Sequence, residues 1–96
     1  MNANNEQSLG EAIREFLHAY DLDQRLGETR VIRSWEKVVG AMVARHTKNL
    51  YVRNMILFAR IDSSALRNEL NYSRERITKM LNEAVRENVI QDVVFQ

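Results

Sequence analysis

The residue types that most often carry chemistry are sparse in this 96-residue chain, and none falls in a catalytic spacing. His18 and His46 stand on separate stretches, and neither has a second His or a Cys at ligand distance, so the sequence predicts no metal site. The absence of cysteine removes a disulfide framework, a zinc thiolate and a thiol nucleophile together. Gly10, Gly27 and Gly40 are scattered and form no phosphate-cradling loop. Ser63 and Ser64 lack the glycine-flanked elbow of a serine nucleophile and stand just before an apolar periodic stretch, where a hydroxyl caps a helix. Glu69 and Glu83 sit among arginines and read as solvated ion-pair partners rather than an acid/base pair. The sequence therefore predicts no catalytic residue and no cofactor.

What remains is charge. The formal total is +1, but the first 24 residues carry one base against five acids, net −4, and residues 25–60 carry eight bases against two acids, net +6. Residues 61–96 return −1, so the basic excess lies wholly in the middle. Such a block attracts a polyanion, because each Lys or Arg placed near a phosphate releases condensed counterions. Lys37, Arg45, Lys48 and Arg53 are the candidate nucleic-acid contacts, since they bracket the junction between a helical stretch and a hairpin. The bland alternative is a mixed, solvated surface. Trp35 lies on an apolar helical stripe, where a core anchor is expected before a base-stacking platform.

These residues must be positioned by elements that the periodicity indicates. Residues 1–7 read as a disordered lead-in and residues 8–96 as one domain. Ser8 precedes Glu11 at capping-box spacing, and Leu9, Ile13, Phe16, Leu17 and Tyr20 follow as one helical stripe. A connection is expected at Asp21–Asp23, then a second amphipathic helix through Val39, a break at Gly40 and a further turn or two to His46. The period then changes to two. Leu50–Arg53 and Met55–Ile61 read as a hairpin turning at Arg53 and Asn54. In its second strand Leu57, Ala59 and Ile61 point one way, and Ile56, Phe58 and Arg60 the other. Asp62, Ser63 or Ser64 caps a long helix with the stripe Leu66, Leu70, Ile77, Met80, Leu81, Ala84 and Val85, and Val89–Phe95 returns to strand. The order is α-α-β-β-α-β, an α+β (α/β-class) domain with a three-stranded sheet packed against helices.

Apolar residues fall on both faces of that sheet. One helical layer covers one face, so Tyr51, Ile56, Phe58, Ile90 and Val94 need cover from another part of the chain or from a partner, and Tyr51, Ile56 and Phe58 are the candidate partner-binding residues. No apolar run approaches the roughly 20 residues that span a bilayer, so a cytoplasmic protein with no membrane contact is expected.

Several blocks together resemble the DciA-like bacterial family, once grouped as a domain of unknown function. They are Trp35-x-x-Val38-Val39-Gly40, Ala44-x-His46-Thr47, Leu57, Ile61-x-Ser63-Ser64-Ala65-Leu66-x-x-Glu69-Leu70, Leu81-Asn82 and Val94-Phe95. The resemblance implies a KH-like fold, a role beside the bacterial replicative helicase in DNA replication, and binding of nucleic acid. The GxxG loop by which KH domains commonly grip a backbone is absent. The first expectation is thus a non-enzymatic replication factor that binds single-stranded DNA or RNA and contacts the replicative helicase. The second is an RNA-binding factor in ribosome or tRNA metabolism. The third is an adaptor forming a homodimer through the second sheet face.

Overall fold

The computed structural model describes the backbone from Asn2 to Gln96 and the side chains from Ser8 onward. The lead-in expected at residues 1–7 precedes the described side chains, and Met1 lies outside the described residues. The elements are α1 (Asn2–Val39), α2 (Ala41–Arg45), β1 (Thr47–Arg53), β2 (Ile56–Ile61), α3 (Ser64–Tyr72), α4 (Arg74–Val85) and β3 (Asp92–Phe95). Helices α1 and α2, the hairpin, the helical crossover α3–α4 and the last strand follow in the expected order, but several boundaries move.

The first correction is α1, which takes in both of the helices expected before Gly40. Ser8 lies inside it rather than at its start, and Asp21–Asp23 forms no connection. Nothing in the sequence forces a break: the chain has no proline, and Asp21 pairs with Arg25 one turn on at 3.1 Å. Thr29 and Ser34 donate their hydroxyls to the carbonyls of Arg25 and Arg30, so these residues bond within the helix instead of opening it. Gly27 lies against the Val89 side chain, where a Cβ would stand 2.9 Å from a Val89 methyl, so glycine permits the close approach there. α1 ends at Gly40, whose φ of 91° suits glycine alone, and α2 leads into the sheet.

The hairpin turns one residue later than expected, at Asn54 and Met55, both with positive φ (52° and 64°). Two such residues make the turn whose twist matches paired strands. Asn accepts that conformation readily; at Met55 the backbone is held from outside, its carbonyl accepting from the Gln91 N–H at 2.7 Å. The sheet order is β1-β2-β3, with β1 and β2 antiparallel and β2 and β3 parallel. A parallel partner requires a crossover, which α3 and α4 provide.

The long helix expected after Ser63 is two helices bent at Ser73. Its apolar stripe has a gap between Leu70 and Ile77, where Ser73 and Arg74 offer nothing to bury, and the chain changes direction there. Ser63 is the cap of α3: its Oγ accepts from the Leu66 N–H at 3.3 Å. Ser63→Ala should lower stability by about 1 kcal/mol in a urea titration, the usual worth of such a cap. The strand expected over Val89–Phe95 shortens to Asp92–Phe95, and Val89 and Ile90 are both buried in the segment before it, so Ile90 leaves the list of residues needing outside cover.

All the helices that pack on the sheet lie on one side of it. Val31 and Trp35 of α1, Val43 of α2, Leu70 of α3 and Ile77 and Leu81 of α4 meet Leu57, Ala59, Ile61, Val93 and Phe95 of the sheet in one core. Trp35, 3% exposed, is an anchor of this core and no stacking platform.

Candidate nucleic-acid interface

The register of the sheet decides what its other face carries. Leu57, Ala59 and Ile61 point into the core, so the alternate residues Ile56, Phe58 and Arg60 point away. Tyr51 pairs with Phe58, Arg53 with Ile56 and Asn49 with Arg60 on β1, while Val94 pairs with Phe58 on β3. Among the described residues no helix lies over this face. Tyr51, Ile56, Phe58 and Val94 are half-buried on it.

The Tyr51 and Phe58 rings stack with centroids 5.0 Å apart and planes inclined by 12°. Such a cross-strand pair forms because β-strand neighbours stand at stacking distance on a pleated surface. The Arg53 guanidinium lies 5.9 Å from the Tyr51 ring centroid, a cation over an aromatic face. Arg60, exposed, stands on the same face beyond Phe58. An apolar ridge with an arginine at each end results.

The four basic candidates do not converge on it. Arg53 is part of the ridge. Lys48 lies at the opposite end of β1, about 17 Å away at the strand rise of ~3.3 Å per residue. Its ammonium is engaged there, 3.4 Å from Asp62 and 3.5 Å from the Arg45 carbonyl. Asp62 also accepts at 2.7 Å from His46 Nδ1 when that nitrogen carries the proton. The His46 hydrogen bond, aided by Lys48, holds the Asp62 carboxyl below the usual carboxylate range. Asp62 therefore ties α2 and β1 to the end of β2 instead of capping α3. Arg45 is exposed on α2 beside this cluster. Lys37 is exposed on α1, two residues past buried Trp35 and so on the outer side of the helix layer, away from the aromatic ridge. Arg60, absent from the four basic candidates, is the other arginine of this face, where its alternation with Phe58 already placed it.

The motif residues have other work. Trp35 Nε1 donates to Thr47 Oγ1 at 3.0 Å, and Thr47 Oγ1 donates to the Val43 carbonyl at 2.8 Å, joining α1, α2 and β1. Asn82 donates to the Ile90 carbonyl at 2.8 Å and accepts from the N–H groups of Val89 and Ile90 at 3.0 and 3.1 Å. Arg67 donates to the carbonyls of Ile61 and Gln96, holding the ends of β2 and of the chain together. Among the described residues no three His, Cys, Asp or Glu side chains gather where a metal could sit, and no helix is long and apolar enough to cross a membrane.

Fold and surface together define a two-layer α+β domain with helices on one face of its sheet and an aromatic, arginine-flanked surface on the other. Residues 8–95 match the family described as "Dna(CI) antecedent, DciA", and the chain belongs to the DciA family. A curated relative, a "UPF0232 protein" of Corynebacterium glutamicum (strain R), is 26% identical over 87 residues. That alignment takes in 91% of this chain and 49% of the relative, so the chain spans about half the length of the curated protein it matches.

Proposed function

We propose that this chain is a non-enzymatic protein of DNA replication that holds a single strand of nucleic acid on its open sheet face and acts beside the replicative helicase. The observation that carries the strand-binding half is the stacked Tyr51–Phe58 pair on an uncovered face, with Arg53 over one ring and Arg60 on the same face. Aromatic rings offer bases a sequence-tolerant surface to stack on, and arginines beside them neutralise the phosphates between. Ile56 and Val94 extend the apolar floor, while Arg45 and Lys48 add positive charge at the far end of β1. Lys37 is the weakest of the basic candidates, being on the helical layer. The KH-like reading is supported by the order of elements and by the parallel third strand reached through two helices. Membership in the DciA family supports the helicase as partner.

Fluorescence anisotropy of a labelled single-stranded DNA, titrated at two salt concentrations, tests the surface. The wild-type chain should bind with little sequence preference and a log–log salt slope of about 0.7 for each phosphate neutralised. The Arg53→Glu/Arg60→Glu pair should weaken binding at least about tenfold and flatten that slope. Its melting temperature should stay near the parent's, because both arginines are exposed. Binding undiminished in the double variant would remove this face from consideration. Competition with an RNA of the same sequence decides which strand is preferred, and capture of the purified helicase by the wild-type chain tests the second half of the reading.

A further inference from the structure

We propose that two copies of this chain pair through the N-terminal half of α1, the helices antiparallel about a twofold axis passing between Arg14 and Glu15. The buried face of α1 does not stop where the domain does. Through Gly27, Val31 and Trp35 it packs on the core, and the same face continues backward through Tyr20, Phe16, Ile13 and Leu9, all of them exposed, with none of the described residues covering them. These four residues and Leu17 are between 51% (Ile13) and 68% (Phe16) exposed. The molecule measures 65 Å along its long axis and about 20 Å across because this half of α1 projects from the domain.

The stripe has the spacing of a helix-pairing seam. Leu9, Ile13, Phe16 and Tyr20 are separated by four, three and four residues. Placed antiparallel, Ile13 meets the partner subunit's Phe16, and Leu9 meets the partner subunit's Tyr20. Large residues face medium ones in each layer. The flanking positions are Gly10, Ala12, Leu17 and Ala19, three of them small enough to let the backbones approach, and none is charged. Glu11, Arg14 and Glu15 all fall on the opposite side. The acidic balance of the first 24 residues, net −4, argues against a polyanion as the occupant.

The domain itself sets the orientation. Its body begins under Gln24, whose side-chain amide donates to the Val89 carbonyl at 3.2 Å. In a parallel pair each domain would occupy the space needed by the other helix from that point on. In an antiparallel pair the two domains stand at opposite ends, and the seam, Leu9 to Tyr20 on each copy, stops short of both. Five side chains of roughly 150–200 Å² each, more than half exposed, offer on the order of 500 Å² per copy, or about 1,000 Å² for the pair, the size at which specific interfaces begin. The contact is self-complementary, closes on itself, and leaves both aromatic sheet faces open. It rests on α1 alone and stands or falls separately from the strand-binding reading.

Sedimentation of the full chain at micromolar concentrations should give twice the 11.3 kDa of one copy. Phe16→Glu, at a position exposed in the single copy, should return the mass to one copy while the sheet and core melt as before. Orientation is read by cysteines placed in a chain that has none. A mixture of Ala12→Cys and Ala19→Cys chains should form the crossed disulfide far faster than either chain forms a disulfide with its own kind. A single-copy mass at every concentration, a Phe16→Glu variant that remains paired, or like-with-like disulfides at Ala12→Cys would each overturn the proposal. So would a single-copy chain in which Phe16→Glu abolishes capture of the helicase, which would assign the seam to that protein instead.

Discussion

Trp35→Ala is expected to lower the free energy of unfolding by about 3 to 5 kcal/mol, the cost of emptying a buried aromatic site that its surroundings cannot refill. The side chain is almost wholly enclosed and leans on Phe95, ring centroids 6.1 Å apart. Its removal also strips Thr47 Oγ1 of the indole donor. In a domain of this size, with a total stability of about 5 to 14 kcal/mol, that loss consumes much of the margin. Urea unfolding followed by circular dichroism measures it, since the variant loses its own fluorophore. Trp35→Phe should be much milder, because it keeps most of the volume and gives up one part-buried hydrogen bond worth about 1 kcal/mol. If both variants unfolded with the parent, Trp35 would not be part of the core.

Asn82→Ala is expected to cost about 2 to 4 kcal/mol, although Asn82 stands on α4, away from the aromatic sheet face. One amide satisfies three backbone groups of the segment that carries the chain from α4 to β3, and two of them belong to Ile90, which is almost wholly buried. Val89 N–H retains a second partner in the Glu87 carbonyl at 3.1 Å. The Ile90 N–H and carbonyl have Asn82 as their hydrogen-bond partner and lose it. Asn82→Asp is the informative companion: it keeps the acceptor for the two N–H groups and replaces the donor that serves the Ile90 carbonyl. Its loss should fall between that of alanine and the parent. Equal losses in the two variants would show that repulsion between the new carboxylate and the Ile90 carbonyl offsets what the two N–H bonds contribute. Nucleic-acid binding per folded molecule should be unchanged in both, since the open sheet face lies on the other side of the sheet.

The elements whose signal is local were legible in the residues themselves. Alternation through Ile56–Ile61 assigned each side chain of β2 to its face, and that assignment already placed Phe58 and Arg60 together. Trp35 stood on an apolar stripe, and Ser63 stood where a helix needed a cap. The absence of cysteine removed thiol and thiolate chemistry without any coordinates. Helix boundaries were less legible. Asp21–Asp23 has the composition of a loop, yet it continues a helix, because exposed acids cost a helix little and the Arg25 ion pair supports them. At Ser73 no proline or glycine marks a break; the only local sign is the gap in the apolar stripe between Leu70 and Ile77, where the chain turns within the crossover between the parallel strands.

Which charges act together was a matter for the tertiary structure. Lys37, Arg45, Lys48 and Arg53 are near one another in the chain. The fold sends Lys37 to the outside of the helical layer, ties Lys48 to Asp62 and leaves Arg53 at one end of the aromatic ridge, with Arg60, seven positions further on, at the other. Periodicity names the face a side chain occupies, because backbone geometry repeats every 2 or 3.6 residues. It carries no information about what lies across from that face. The sequence alone therefore determined a small α+β domain, its core anchors and the apolar character of both sheet faces. Only the packing of the helices on one side decided that, among the described residues, the other stays open, and only the edge of the domain at Gln24 decided that the stripe from Leu9 to Tyr20 is exposed, because burial is a property of distant segments brought together.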